Sequence, residues 1–255
     1  MTVFGWCTGI EHVDELKEHG YDYIECPLAP LMMEEPEVFK KALSKYANRS
    51  IPVRAWNIFF PGGLKLVGPE ADEPKIRSYV ARAVDTMNRA GSSIAVLGSG
   101  RSRYVPEGWE RERAEEQLLR VLSLIADECE GTGLTLVIEP LNTKESNIIN
   151  SVAEGVALAR SINRAPIRVL ADFYHMDEER EALETIAEHK DWLAHIHVAD
   201  TGRLSPGTGQ YPYDAFVQQL RLAGYQGGVS VECTVNDRVK ELPSALSFLR
   251  KTWGA

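Results

Sequence analysis

Cysteine is scarce, with four in 255 residues. Cys7, Cys26, Cys129 and Cys233 show none of the close spacing of a zinc ribbon or a redox pair. A disulfide-stapled secreted fold is excluded, and a reducing cytoplasm fits. Long apolar runs are missing too: none approaches the roughly 20 residues that cross a bilayer. The opening "MTVFGWCTGI" has no basic leader region, so a soluble, unprocessed, cytoplasmic chain without a membrane partner is expected. Cations are outnumbered, 28 Lys and Arg against 37 Asp and Glu, for a formal net charge of -9. No basic field attracts a phosphate backbone, which sets nucleic acid aside as a main partner. An acidic cleft can still hold a divalent cation.

No GxGxxG turn follows the first strand, which ends in "GWCTGIEH". The glycine-rich piece "LGSGRSR" comes after the fourth strand, and a lone GSG is weak evidence for a phosphate loop. No low-complexity tract or linker divides the chain, so residues 1–255 are read as one domain.

What is present is a strand-helix rhythm. The candidate strands are "TVFGWC", "YDYIECP", "IPVRAWNIF", "SIAVLGSG", "LTLVIEP", "IRVLADF", "LAHIHVAD" and "GVSVEC". Helical patterns separate them: Ala114, Leu118, Val121, Leu122, Ile125 and Cys129 recur at three- and four-residue steps. Ser151 with Glu154 matches a capping box, and Gly131, Gly133 and Gly224 fall where helices should stop. Alternating elements leave an open doubly wound sheet or a closed barrel. Eight strands without a nucleotide fingerprint favour an α/β protein of the (β/α)8 TIM barrel type.

Polar residues gather at the ends of the late strands. Glu139 ends the fifth, Asp172 the sixth and Glu232 the eighth, while His197 sits in the seventh. A barrel brings those ends to one mouth. Alone, each acid reads as a solvated loop residue or a helix cap. Together, three carboxylates and one imidazole form a mostly hard ligand set, suited to Mn2+ or Mg2+, with Zn2+ or Co2+ also able to bind. Such a cation would neutralise Glu139 where an apolar strand ends. His195 shares the parity of His197 and reads as a hydrogen-bonded core histidine. His175 is either a loop histidine or a contact to a substrate hydroxyl. Trp56, with Trp6, Phe59 and Phe60, offers an apolar wall to a substrate or is plain barrel packing. Cys7, Cys26 and Cys233 fall on neighbouring strands and are expected to be packed thiols.

The segments "VIEPLNTKE", "LADFYHMDEE", "HIHVADTGRLSPGTG" and "SVEC" resemble the motifs of the xylose-isomerase-like barrel superfamily, in its sugar epimerase and isomerase branch. The likeness is strongest from Ile94 to Thr234; the N-terminal third matches only in rhythm. It implies that Glu139, Asp172, His197 and Glu232 hold the metal and that Glu139 and Glu232 are the acid/base pair. It further implies substrate contacts at Glu145, His175 and Arg203, and a homodimer or homotetramer. "ADFYH" and Cys233 depart from the family's usual pattern beside two of the ligands.

The reaction implied moves a proton next to the carbonyl of a small ketose or keto-polyol, through a metal-bound enediolate. Return of the proton to the same carbon is epimerisation, and to the neighbouring carbon aldose-ketose isomerisation. A dehydratase or lyase acting on a cyclic hydroxyketone needs the same groups. A partner-dependent or non-catalytic sugar-binding subunit is the reading outside enzymology, and two opposed carboxylates argue against it. A phosphodiesterase on this barrel needs more histidines, and the third strand supplies none.

Overall fold

A computed structural model describes residues 2–47 and 49–254. Eight parallel strands close into a barrel in sequence order: Val3–Cys7 (β1), Tyr23–Pro27 (β2), Val53–Asn57 (β3), Ile94–Leu97 (β4), Thr135–Ile138 (β5), Ile167–Asp172 (β6), Leu193–Val198 (β7) and Gly228–Val231 (β8). The first and last strands pair from Val3↔Gly228 to Trp6↔Val231, which leaves no open edge. Every strand expected from the apolar runs is present.

Alternation along each strand divides the core in two. Ala55, Ile94, Val96, Val137 and Leu170, from β3 to β6, form the apolar part of the barrel interior. A larger layer lies between strands and helices and takes residues such as Trp6, Ile24, Trp56 and Ile138. Each side chain of that size removed from water contributes about 1.5–3 kcal/mol. The helix Arg111–Cys129 buries the six apolar residues of its predicted stripe, together with Leu124 and Ala126.

Local chemistry sets the helix ends. Ser151 Oγ accepts from Glu154 N at 3.1 Å, and the Glu154 carboxylate reaches back to Asn150 N at 2.9 Å, one residue earlier than the simplest capping box. Gly131, Gly133 and Gly224 all have positive φ just past helix ends. Among the described residues, no helix is long and apolar enough to cross a membrane.

Candidate active site

At the C-terminal mouth, the inward positions change from apolar to polar. Glu139 and Glu232 each stand one residue beyond their strands, while Asp172 and His197 lie within β6 and β7. The structure brings the four together, with one ligand-type atom from each within 4.8 Å of the others. His197 Nδ1 is the centre. It lies 3.2 Å from Glu139 Oε1, 3.6 Å from Glu232 Oε2 and 3.8 Å from Asp172 Oδ2.

Other contacts fix each acid. Asp172 Oδ1 accepts from His175 N at 3.0 Å and caps the helix Phe173–Glu178. Glu232 Oε1 accepts from Asn57 Nδ2 at 2.8 Å, and its Oε2 accepts from Arg203 Nη2 at 2.8 Å. Behind Glu139 lies the fully buried Arg103, which donates to the carbonyls of Leu97 and Glu139 at 3.0 and 2.7 Å. The GSG turn also has a structural reason. A Cβ on Gly98 would collide with Glu139 Oε2, and one on Gly100 would lie 2.6 Å from the Glu145 carbonyl. These glycines admit the loop after β5.

The two glutamates are driven apart electrostatically. Burial, with the Glu232 charge nearby, raises the Glu139 pKa, although its hydrogen bond to His197 opposes the shift. Burial would also raise Glu232, but His197 and Arg203 outweigh it and hold that carboxyl below the usual range. Burial alone would lower His197, yet the surrounding carboxylates raise it well above an ordinary histidine. Three acids around one imidazole nitrogen leave a surplus of negative oxygen donors, and that donor set fits a hard divalent cation.

A cavity of about 450 Å3 opens over these groups, and its lining includes Glu139, Glu145, Arg203 and Glu232. Arg203 also donates from Nη1 to Glu145 at 3.1 Å and lies 5.0 Å over the Tyr174 ring. His175 Nδ1 accepts from Asn142 N at 3.1 Å, so its proton sits on Nε2, which is buried and has no partner among the described residues. Of the six non-glycine residues at positive φ among the described residues, Ile58, Ser99 and Arg203 line this cavity. Strained backbone concentrates where function constrains it.

Trp56 requires a correction. Its neighbour Asn57 points inward, so Trp56 points outward: it is fully buried against Tyr46 at 4.9 Å and donates from Nε1 to Ser92 Oγ at 2.7 Å. Of the four aromatic residues considered for a sugar-facing wall, Phe60 lines the cavity. The cysteines divide by the same alternation. Cys7 groups with His197 and Glu232, whereas Cys26 packs in the outer layer and Cys233 against it; all four cysteines are free.

Two residues at the site escaped the sequence reading, Asn57 and Glu25. Glu25 is fully buried in β2, with Oε1 2.9 Å from His197 Nε2 and Oε2 2.8 Å from His195 Nε2. Burial opposes its ionisation, but the two histidines hold its pKa well below the usual range. A charge in the middle of "YIEC" was the available signal.

Fold and site together define a single-domain TIM barrel with an acidic mouth centred on a histidine. Residues 13–252 match the xylose isomerase-like TIM barrel family, and the chain belongs to it. It is similar to the 3-dehydro-D-guloside 4-epimerase of Escherichia coli (strain K12), 33% identical over 135 residues that cover 52% of this chain and 50% of the enzyme. The match thus spans half of that relative's length. The ketose 3-epimerase of Arthrobacter globiformis is 24% identical over 252 residues, 94% of this chain and 83% of the enzyme. In fold, a D-psicose 3-epimerase crystallised in the presence of D-fructose superposes with a TM-score of 0.85 at 17% identity, covering 100% of both chains.

Proposed function

We propose that the chain is a divalent-metal-dependent epimerase of a small ketose or keto-polyol, inverting a carbon next to the ketone. One observation carries this reading: Glu139 and Glu232 line the same cavity from β5 and β8, well separated around the ring of strands. Groups so placed can approach one carbon from different sides. The names of the relatives add support, because a 3-epimerase of a ketose and a 4-epimerase of a 3-dehydro sugar both invert a carbon beside a carbonyl.

Glu139, Asp172, His197 and Glu232 would hold Mn2+ or Mg2+, with Zn2+ or Co2+ as the alternatives. Such an ion, when bound, polarises the substrate carbonyl and stabilises the negative charge that builds up on its oxygen. One glutamate takes the proton from carbon, and the other returns a proton to the opposite face. His175 donates from Nε2 to a substrate hydroxyl. Arg203 and Glu145 hold further hydroxyls and keep Glu232 in place. Phe60 and Leu141, which also line the cavity, give the sugar an apolar surface and displace water.

Solvent deuterium exchange followed by NMR across a panel of ketoses and keto-polyols, with and without Mn2+, tests this. The expected result is Mn2+-dependent label at one carbon adjacent to the ketone, with both epimers formed. Glu139→Gln and Glu232→Gln should each lose about 10²–10⁴ in exchange rate. Exchange that survives both substitutions refutes the two-carboxylate mechanism. Label with loss of water instead of epimer formation points to a dehydratase.

A further inference from the structure

We infer that Glu25 is the positioning residue of the His197 ring: it fixes which nitrogen faces the carboxylates at the mouth and thereby sets the site's affinity for a divalent cation. The inference rests on the metal-dependent reading proposed above.

Glu25 has no exposed surface and lies in an apolar strand, where a carboxylate is costly unless hydrogen bonds satisfy both oxygens. Its Oε1 takes His197 Nε2 at 2.9 Å. Its Oε2 takes His195 Nε2 at 2.8 Å and Ser230 Oγ at 2.6 Å. The Ser230 hydroxyl in turn lies 2.8 Å from Tyr23 Oη. An ionised carboxylate only accepts, so every one of its partners must donate.

That requirement determines the state of His197. With one proton held on Nε2 by Glu25, Nδ1 is the nitrogen turned to Glu139, Glu232 and Asp172, and it would give its lone pair to a cation that displaces its own proton there. A ring flip would place C–H groups against Glu25 and surrender the bond. Glu25 cannot follow such a flip, because β7 and β8 pin its other oxygen. His197 and Ser230 are register partners on those two strands, so the clamp is part of the ladder itself. Glu25 is absent from the lining of the cavity above the site, so it acts through His197 rather than on a substrate.

An amide at position 25 would break this logic. Its oxygen can accept from one ring, but its NH2 then faces another donor. Where the NH2 meets His197 Nε2, the neutral ring moves its proton to Nδ1 and loses the lone pair needed for a cation. Carboxylate partners of metal-ligating histidines typically alter affinity by about 10- to 100-fold.

The test is calorimetric titration of Mn2+ into the purified full chain as wild type, Glu25→Gln and Ser230→Ala, with circular dichroism as the check on folding. The Mn2+ dissociation constant should rise about 10- to 100-fold in Glu25→Gln and by less than that in Ser230→Ala. Excess Mn2+ should restore turnover of Glu25→Gln toward wild type with the sugar KM unchanged, a rescue that a damaged fold would not give. A folded Glu25→Gln that binds Mn2+ like wild type overturns the inference, as does lost turnover that saturating Mn2+ fails to recover. If Glu25→Gln does not fold, Ser230→Ala decides: unchanged Mn2+ affinity overturns it and weakened affinity supports it. A wild-type chain that binds Mn2+, with both folded variants binding it equally well, overturns the role of Glu25 and leaves the metal reading standing. A wild type that binds no divalent ion overturns the metal reading and this inference with it.

Discussion

Gly98 leaves vacant the space that the Glu139 carboxylate needs: a Cβ at residue 98 would fall inside van der Waals contact of Oε2. The collision is with the tip of a flexible side chain, so the backbone can stay where it is while the carboxylate swings away. Gly98→Ala should therefore fold with a stability change of about 1 kcal/mol. Its catalytic rate should fall about 10²-fold, because a displacement near 1 Å at a reacting group has that effect. Urea unfolding with turnover measured on the same preparation checks this, and a fully active Gly98→Ala would show that Glu139 has room to spare.

Trp56 supplies the opposite case, a residue that matters for the fold and not for the substrate. Its indole N–H donates to Ser92 and its ring packs on Tyr46. Trp56→Phe removes that hydrogen bond and some buried area, for a loss of about 1–2 kcal/mol. The ratio kcat/KM should stay within about two-fold of wild type, since changes away from a site leave transition-state binding untouched. A ten-fold drop without a stability loss would return Trp56 to the sugar-binding surface.

These two residues show what the chain's pattern discloses. Buried parallel strands read as apolar runs bounded by turns, so all eight were legible, as was the convergence of Glu139, Asp172, His197 and Glu232 at one barrel mouth. Of the two readings open for Trp56, barrel packing holds, because parity and not closeness to a strand end decides which face a side chain takes. Glu25 was passed over because one acid inside a strand looks the same whether it meets water or two histidines. Only the closed ring shows that β2 faces β7 across the interior. Asn57 is illegible for a similar reason: its amide gains meaning from Glu232, 175 positions away in sequence.

Ile58 carries a backbone strain that can be measured. It is a β-branched residue at φ 48°, 47% exposed, on the rim of the cavity. The left-handed conformation costs an L-residue about 1–2 kcal/mol, and glycine escapes most of that cost while losing more entropy on folding. Ile58→Gly should therefore stabilise the chain by about 0.5–1 kcal/mol in urea unfolding. Turnover should fall at the same time, because an apolar wall of the cavity is gone. Destabilisation instead would mean that the side chain holds the rim by packing.

Metal binding should also be visible in the folding equilibrium itself. Three carboxylates crowd His197 Nδ1 within 3.8 Å, and these donors are dispersed in the unfolded chain. A cation that binds the native state selectively stabilises it by about 2.7 kcal/mol at a hundred-fold excess over its dissociation constant. For a chain of this size that corresponds to a rise in Tm of roughly 5–10 °C. Thermal scans with increasing Mn2+ should show this rise, and chelation should reverse it. Asp172→Asn should flatten the response while keeping its capping bond to His175 N, because an amide oxygen still accepts that hydrogen bond but contributes less charge to a cation. An Asp172→Asn variant that keeps the full Mn2+ response would remove Asp172 from the ligand set and leave it with helix capping alone.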